Sequence, residues 1–161
     1  MADEVTTASP AGNLAALLDP RAVQLAARAG SKVDAIRLCG QALLEVGAVD
    51  PSYLDSMQDR ERSISTYVGE EVAIPHGTLA GKDAVHRDAL CVLRFPDGVE
   101  WGEGNTVRVC IGIAARGGGH VGILAELANI LLDPDRARAL REATDAEAVF
   151  QLLTPTEEET A

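Results

Sequence analysis

Residues 107–114 read Val-Arg-Val-Cys-Ile-Gly-Ile-Ala, and this run constrains the fold more than any other part of the chain. Its bulky residues alternate with smaller ones, and its one charge, Arg108, stands near the start. Such a run is typical of a strand that is buried on both faces of a sheet. The sequence therefore predicts that this strand is covered from both sides by other elements.

Other strand patterns occur at residues 23–27, 71–74 and 89–95, and the Phe-Pro-Asp-Gly motif at 95–98 predicts a turn. Helical spacing follows three predicted starts: the capping boxes that open at Ser31 and Thr144, and the Asp-Pro pair at 50–51. Further helical patterns cover residues 121–132 and 134–140. Two strands lie within 89–114 without a helix between them. We therefore predict an α/β fold with a mixed parallel/antiparallel sheet that is flanked by helices on both faces.

The chain has 161 residues, which is the size of one domain. Its ends lack hydrophobic periodicity, and the last residues are mostly acidic or polar. We expect a flexible N-terminal segment at 1–16, a folded domain at 17–154 and an acidic flexible tail at 155–161.

The net charge is −11, from 25 acidic and 14 basic residues. This balance excludes the clustered cations with which proteins bind nucleic acid or anionic lipid. No apolar run approaches the roughly 20 residues that cross a bilayer, and the acidic start lacks the basic region of a secretory signal. We expect a soluble cytoplasmic protein without membrane insertion.

The three cysteines, Cys39, Cys91 and Cys110, are odd in number, form no Cys-x-x-Cys pair and lie among Val, Leu and Ile. This usage predicts buried free thiols, as in a reducing cytoplasm.

Two of the three histidines lie where ligands bind in open α/β sheets. His76 follows a short strand between Pro75 and Gly77, and His120 follows the 107–114 strand across a Gly-rich loop at the predicted start of a helix. Unpaired N–H groups at a helix start favour anions, and neutral imidazole is a nucleophile toward phosphorus. The third histidine, His86, lies in a polar connector and is predicted to be on the surface.

Motifs for other chemistry are missing from the sequence. It contains no dinucleotide fingerprint, P-loop, nucleophile elbow or metalloprotease motif, and two histidines alone make a poor zinc site. We therefore expect no cofactor and no metal, although a small-molecule or metal-binding module that uses the two histidines stays open as an alternative.

Four blocks of sequence, taken in order, resemble one known family. They are Thr-Tyr-Val-Gly-Glu at 66–70, Ala-Ile-Pro-His-Gly-Thr at 73–78, Phe-Pro-Asp-Gly-Val-Glu-Trp-Gly at 95–102, and Ile-Gly-Ile-Ala-Ala-Arg at 111–116 with His120. Together they resemble the enzyme IIA component of the bacterial phosphoenolpyruvate-dependent sugar phosphotransferase system, mannitol type, over roughly residues 20–154. The loop at 116–119, Arg-Gly-Gly-Gly, is less polar than is usual in that family, and residues 103–106 form a shorter connection.

The resemblance implies a role for each of three residues. His76 would accept a phosphoryl group from the phosphohistidine of HPr and pass it to a cysteine of the cognate enzyme IIB, which is linked to the membrane enzyme IIC. His120 would contact the phosphoryl group, and Arg60 would approach the same site. The alternatives are a regulatory phosphoacceptor of the same fold, or specificity for fructose or another polyol instead of mannitol. Because the chain stands alone, without fused IIB and membrane domains, we expect a soluble, separately encoded component.

Overall fold

The apolar run at 107–114 lies at the centre of a five-stranded sheet in the computed structural model, which describes residues 14–116 and 120–154. The strands are β1 (Leu18–Gln24), β2 (Tyr67–Gly69), β3 (Val72–Ala73), β4 (Ala89–Gly102) and β5 (Asn105–Ala114). Their order across the sheet is β1-β4-β5-β3-β2. The β4–β5 and β2–β3 pairs are antiparallel, whereas β1 runs parallel to β4 and β3 parallel to β5. The predicted mixed sheet is confirmed.

Helices cover this sheet on both faces. Every residue of β5 from Val109 to Ala114 is accordingly buried. The α-helices of the described ranges are α1 (Lys32–Glu45), α2 (Ser52–Ser63), α3 (His120–Leu131), α4 (Pro134–Arg141) and α5 (Ala146–Leu153). Short 3₁₀ helices span Leu14–Leu17 and Leu79–Ala84. Helix α1 packs on β4 and β5, α4 contacts β5, and α5 contacts β1. No helix in these ranges is long and apolar enough to cross a membrane.

Side-chain caps start α1 and α4 where the sequence predicts them. Ser31 Oγ accepts a hydrogen bond from the Asp34 N–H at 3.1 Å, and the Asp34 carboxylate accepts one from Gly30 N–H at 3.3 Å. At α4, Asp133 caps the helix and Pro134 occupies its first turn. These bonds satisfy N–H groups that have no partner inside the helix.

Two other predicted helix starts are wrong. Helix α2 begins at Ser52, and Pro51, with helical φ and ψ, stands at its N-cap without a side-chain cap. The Asp50 carboxylate instead accepts a hydrogen bond from the His86 ring at 2.8 Å, on the surface that was predicted for that histidine. The cap of α5 is Asp145, one residue after the predicted Thr144, and it accepts from Ala148 N–H at 2.9 Å.

The predicted turn at 95–98 is also wrong, because β4 continues through it. The register with β5 shifts between Arg94 and Val99, and Gly98 has a φ of 79°. Pro96 cannot donate to the ladder and glycine permits the left-handed region, so these residues form a bulge rather than a reversal. The chain reverses at Glu103 and Gly104, with φ values of 54° and 80°.

At the N-terminal side, β1 begins at Leu18, earlier than the predicted Val23. The pairing of β1 with β4 is irregular between Leu18 and Val23, where Pro20 lacks an N–H. Leu14, which was assigned to the flexible N-terminal segment, is only 2% exposed and packs into the core. Hydrophobic packing therefore extends the ordered chain beyond what its local pattern indicates.

The three cysteines are free and buried, as predicted. Cys91 of β4 donates a hydrogen bond to the carbonyl of Cys39 in α1 at 3.5 Å. Two effects raise the pKa of the Cys91 thiol: the larger is its contact with Cys39, and the smaller is its complete burial. Gly112 of β5 makes this close approach possible, since a Cβ there would lie 2.6 Å from Cys91 Sγ.

Candidate functional site

His76 lies just beyond β3, at the edge of the sheet. Its backbone forms a parallel bridge with Ile113 of β5, and Ile113 N–H donates to Pro75 O at 2.9 Å. Pro75 is buried and His76 is half-buried, so the histidine emerges where the covered sheet meets solvent. The sheet thus fixes the backbone of this histidine while its ring reaches the surface.

The His76 ring has a defined orientation. Its Nδ1 lies 2.8 Å from the carbonyl oxygen of Ile74, two residues earlier in the chain. A carbonyl oxygen only accepts, so Nδ1 carries the proton and donates it. In the neutral ring the lone pair therefore resides on Nε2, which makes Nε2 the nucleophilic nitrogen.

A small cavity of about 110 Å³ adjoins this ring. It is lined by Tyr53, Arg60, His76, Gly77, Thr78, Leu79, Lys82, Ile113 and Ala115. We call it the His76 cavity. Its described lining contains a guanidinium and an ammonium but no carboxylate. Such a lining favours an anion.

Arg60 reaches the His76 cavity from the last turn of α2. Its Nη1 donates to the carbonyl oxygen of Ile64 at 2.6 Å, just past the end of the helix. This bond holds the guanidinium in one direction and occupies one of the five N–H donors of the group. The structure thus brings Arg60 and His76, which are 16 positions apart in the sequence, to one cavity.

Tyr53 joins α2 to both sides of the site. Its hydroxyl accepts from Gly77 N–H at 2.8 Å and donates to Ile113 O at 2.8 Å. Burial raises the pKa of Tyr53 to about 12, so the hydroxyl keeps its proton at neutral pH. A Cβ at position 77 would lie 2.5 Å from Tyr53 Cε1, so the contact requires glycine.

A second network fixes the 3₁₀ helix Leu79–Ala84. Ser56 Oγ accepts from Thr78 N–H at 2.8 Å, and Thr78 Oγ1 accepts from Gly81 N–H at 3.2 Å. Lys82 lies on this short helix and lines the His76 cavity. The placement of this short helix, and so of Lys82, against α2 therefore depends on the hydroxyl groups of Ser56 and Thr78.

For His120, the remaining predicted site residue, the structure describes the backbone only. His120 is the first residue of α3, as predicted, but its side chain and residues 117–119 lie outside the described part of the chain. Ala115, at the end of β5, lines the His76 cavity.

Sequence reasoning missed Tyr53 and Lys82. Lys82 could have been found, because it follows His76 within a short Gly-containing connector that stays near the same sheet edge. Tyr53 offers no such signal, since it stands in the first turn of a helix whose distance from His76 is set by tertiary packing.

Chemically, the arrangement suits transfer of a small anion. It offers a nucleophilic ring nitrogen with a fixed tautomer and two cations nearby. Phosphoryl transfer needs positioning and charge compensation more than further covalent help. Across residues 14–116 and 120–154, no group of three His, Cys, Asp or Glu side chains is arranged to hold a metal ion.

Known proteins match this chain in sequence and in structure. The mannitol-specific phosphotransferase enzyme IIA component of Geobacillus stearothermophilus is 37% identical over 137 residues, which cover 85% of this chain and 94% of that protein. The PTS system mannitol-specific EIICBA component of Pasteurella multocida is 39% identical over 155 residues, which cover 93% of this chain but 25% of that protein. The chain thus spans about a quarter of the Pasteurella relative.

A solved structure, the complex of enzyme IIA-mannitol and phosphorylated enzyme IIB-mannitol from Escherichia coli, is also similar. It contains a chain that superposes with a TM-score of 0.80 at 35% identity, covering 85% of this chain and 98% of that one. The family described as phosphoenolpyruvate-dependent sugar phosphotransferase system, EIIA 2, matches residues 16–155. With almost the whole folded chain matched, the protein belongs to this EIIA 2 family.

Proposed function

We propose that this protein is a phosphohistidine carrier of a mannitol phosphotransferase system. Nε2 of His76 attacks the phosphorus of phosphohistidine on HPr, so one N–P bond forms while the other breaks. The His76 phosphoryl group is then attacked by a cysteine thiolate of enzyme IIB, so that an S–P bond replaces the N–P bond. The hydrogen bond from Nδ1 to Ile74 O, which leaves the lone pair on Nε2, is the single observation that carries this proposal.

The surroundings of His76 suit both steps. As the N–P bond forms, the ring gains positive character, and the Ile74 carbonyl lies where it stabilises the Nδ1–H. The incoming phosphoryl group brings a charge of about −1.5 to −2. Arg60 and Lys82 line the cavity that would receive it, and we assign both to charge compensation.

His120 completes the proposed site. It stands at the start of α3, where N–H groups of the first turn have no helical partner. We propose that it contacts the phosphoryl group without carrying it, as the family resemblance implies.

The proposed partners are HPr as donor and enzyme IIB as acceptor. The similar Escherichia coli structure is a complex with phosphorylated enzyme IIB, which supports IIB as a partner of this chain. We further propose that this IIB is linked to the membrane enzyme IIC and that this protein acts in the cytoplasm, where its free thiols are stable. Mannitol is the proposed substrate of the system because both relatives named above are mannitol-specific.

The test reconstitutes the relay. The full-length protein is incubated with phosphoenolpyruvate, enzyme I and HPr, and the modified residue is mapped by mass spectrometry. One phosphoryl group is expected on His76 and none on the His76→Ala variant. A His120→Ala variant should still be phosphorylated but transfer at a different rate. Phosphorylation of His76→Ala at the wild-type level would contradict the assignment.

Onward transfer separates the remaining alternatives. The phosphorylated protein is mixed with a mannitol-type IIB and, separately, with a fructose-type IIB. Rapid loss of phosphate to the mannitol-type IIB supports the proposed substrate, and preferential loss to the fructose-type IIB overturns it. Loss to neither protein favours a regulatory phosphoacceptor.

A further inference from the structure

A buried carboxylate lies behind the proposed site, one residue from Arg60. Glu61, in the last turn of α2, is 5% exposed. It accepts hydrogen bonds from Thr66 N–H at 2.9 Å, from Thr66 Oγ1 at 2.5 Å and from the Trp101 indole N–H at 3.1 Å. A buried carboxylate is costly unless donors satisfy it, and here three donors do so. Glu61 therefore ties α2 to β4 and to the segment after α2.

That segment is the 64–66 loop, which joins α2 to β2. Two of its carbonyl groups lead to the proposed site. Ile64 O accepts from Arg60 Nη1 at 2.6 Å. Thr66 O accepts from Ile74 N–H at 3.0 Å, and Ile74 O in turn accepts from His76 Nδ1 at 2.8 Å. The orientations of Arg60 and of the His76 ring thus both depend on where this loop sits.

We infer that Glu61 is a positioning residue for phosphoryl transfer, because its carboxylate fixes the loop that orients both Arg60 and His76. The inference rests on the proposed function of His76. Glu61 touches no reacting atom, and it acts through the Ile64 and Thr66 carbonyl groups. Transfer between two nitrogens requires close alignment, and a misplacement of about 1 Å can cost about 10²-fold in rate.

A pair of variants tests this role. Glu61→Ala removes all three acceptor contacts and should lower kcat for phosphorylation by phospho-HPr about 10²-fold, with KM for phospho-HPr unchanged. Glu61→Gln should retain near wild-type kcat. Its amide oxygen can accept both N–H donors, while its amide nitrogen donates to the Thr66 hydroxyl. An unchanged kcat in Glu61→Ala would overturn the inference.

A matched control separates positioning from general destabilisation. Val149 is completely buried in α5, which packs on β1. Val149→Ala should lower the melting temperature without lowering kcat below that temperature. If Val149→Ala and Glu61→Ala lose kcat equally at equal loss of melting temperature, Glu61 has no positioning role. Should Glu61→Ala fail to fold, Thr66→Val provides the second variant, because it removes one donor to Glu61 and should lower kcat with KM unchanged.

The His76 ring gives a readout that needs no phosphoryl transfer. In ¹⁵N-labelled protein at a pH where the ring is neutral, wild type and Glu61→Gln should show one tautomer with the proton on Nδ1. Glu61→Ala, or Thr66→Val in its place, should show a mixture of tautomers, and an unchanged spectrum would overturn the inference. If wild-type protein takes no phosphoryl group, the proposed function fails, whereas this spectrum still decides the role of Glu61 in orienting the ring.

Discussion

Two cavities that share Thr78 in their linings differ in the charge of their other lining residues. The His76 cavity, of about 110 Å³, is lined by Arg60 and Lys82. Its neighbour, of about 390 Å³, is lined by Asp55, Asp59 and Asp83, and we call it the acidic cavity. Thr78 lines both. The carboxylates of the larger cavity disfavour an anion, so the proposed site lies in the smaller one.

Helix α2 accounts for much of this contrast. Asp55 and Asp59 are four residues apart and share one face, whereas Arg60 follows about 100° further round the helix. One helix thus presents carboxylates to one cavity and a guanidinium to the other. In a chain with a net charge of −11, this local separation of charge matters more to an incoming phosphoryl group than the overall balance.

Removing the guanidinium should have the largest effect on the His76 cavity. Arg60→Met is expected to slow phosphorylation by phospho-HPr about 10²–10³-fold, the usual loss when one preorganised donor is removed from a reacting anion. Quench-flow measurement with wild-type protein as reference checks this value. The control is Arg62→Met, since Arg62 is an exposed cation on the same helix that pairs with Asp59. Equal slowing by both variants would show that α2 acts only through its overall charge.

The contact between α2 and the His76 cavity can be tested at Tyr53. Tyr53→Phe removes the hydroxyl that accepts from Gly77 N–H and donates to Ile113 O. We expect a loss of about 1–3 kcal/mol in the free energy of unfolding, measured by urea titration. Tyr67→Phe is the control and should cost less, because its hydroxyl accepts only a 3.4 Å bond from Glu71 N–H.

The effect of Tyr53 should depend on pH. Its pKa is raised by burial from 10.0 to about 12. Below pH 10 the phenol is protonated in both states and its stabilisation is complete. Above pH 10 the unfolded chain loses the proton first, so the stability advantage over Tyr53→Phe should shrink as pH rises toward 12. A constant difference across this range would contradict the buried, protonated hydroxyl.

The second cation should matter less than the first. Lys82 is exposed, so we expect Lys82→Met to slow phosphorylation about tenfold, which is about 1.4 kcal/mol. Lys82→Arg should retain most of the rate. The only other lysine, Lys32 on α1, provides a control of identical charge, and Lys32→Met should leave the rate unchanged. Equal losses at both positions would remove Lys82 from the site.

Neutralising the acidic cavity should have the smallest effect. The Asp55→Asn, Asp59→Asn double variant is expected to speed phosphorylation by an amount equivalent to about 0.2–1 kcal/mol, because solvent screens exposed charges. The gain should disappear at high salt. A slower reaction in the double variant would mean that the acidic cavity helps the transfer or the docking of HPr.

The sequence carries the central strand and the histidine at the sheet edge, because both depend on local patterns. The alternating apolar residues at 107–114 and the strand–Pro–His–Gly order at 72–77 can be recognised from neighbouring residues alone. The bulge at 95–98 could not be predicted, since a Phe-Pro-Asp-Gly motif fits a turn equally well and only pairing with β5 decides between them. Likewise, the Asp50 carboxylate accepts from the His86 ring, 36 positions away in the sequence, and the local Asp-Pro pattern does not indicate this contact.

The candidate site also combines residues that sequence patterns indicate with residues that only tertiary packing brings in. Arg60 entered through the family resemblance, whereas its partner carbonyl at Ile64 emerges only from the folded loop. Tyr53 and Lys82 reach the cavity through packing of α2 and of the Leu79–Ala84 helix, which no local spacing encodes. Sequence patterns indicate the proposed nucleophile, and tertiary contacts supply its surroundings.

The decisive measurement identifies the histidine atom that carries the phosphoryl group. Protein with ¹⁵N-labelled histidine is phosphorylated through phosphoenolpyruvate, enzyme I and HPr, and ¹⁵N–³¹P coupling is recorded by NMR. Because Nδ1 donates to Ile74 O, we expect coupling to Nε2 of His76, which disappears when enzyme IIB is added. Coupling to Nδ1 of His76, or to a nitrogen of another histidine, would contradict it.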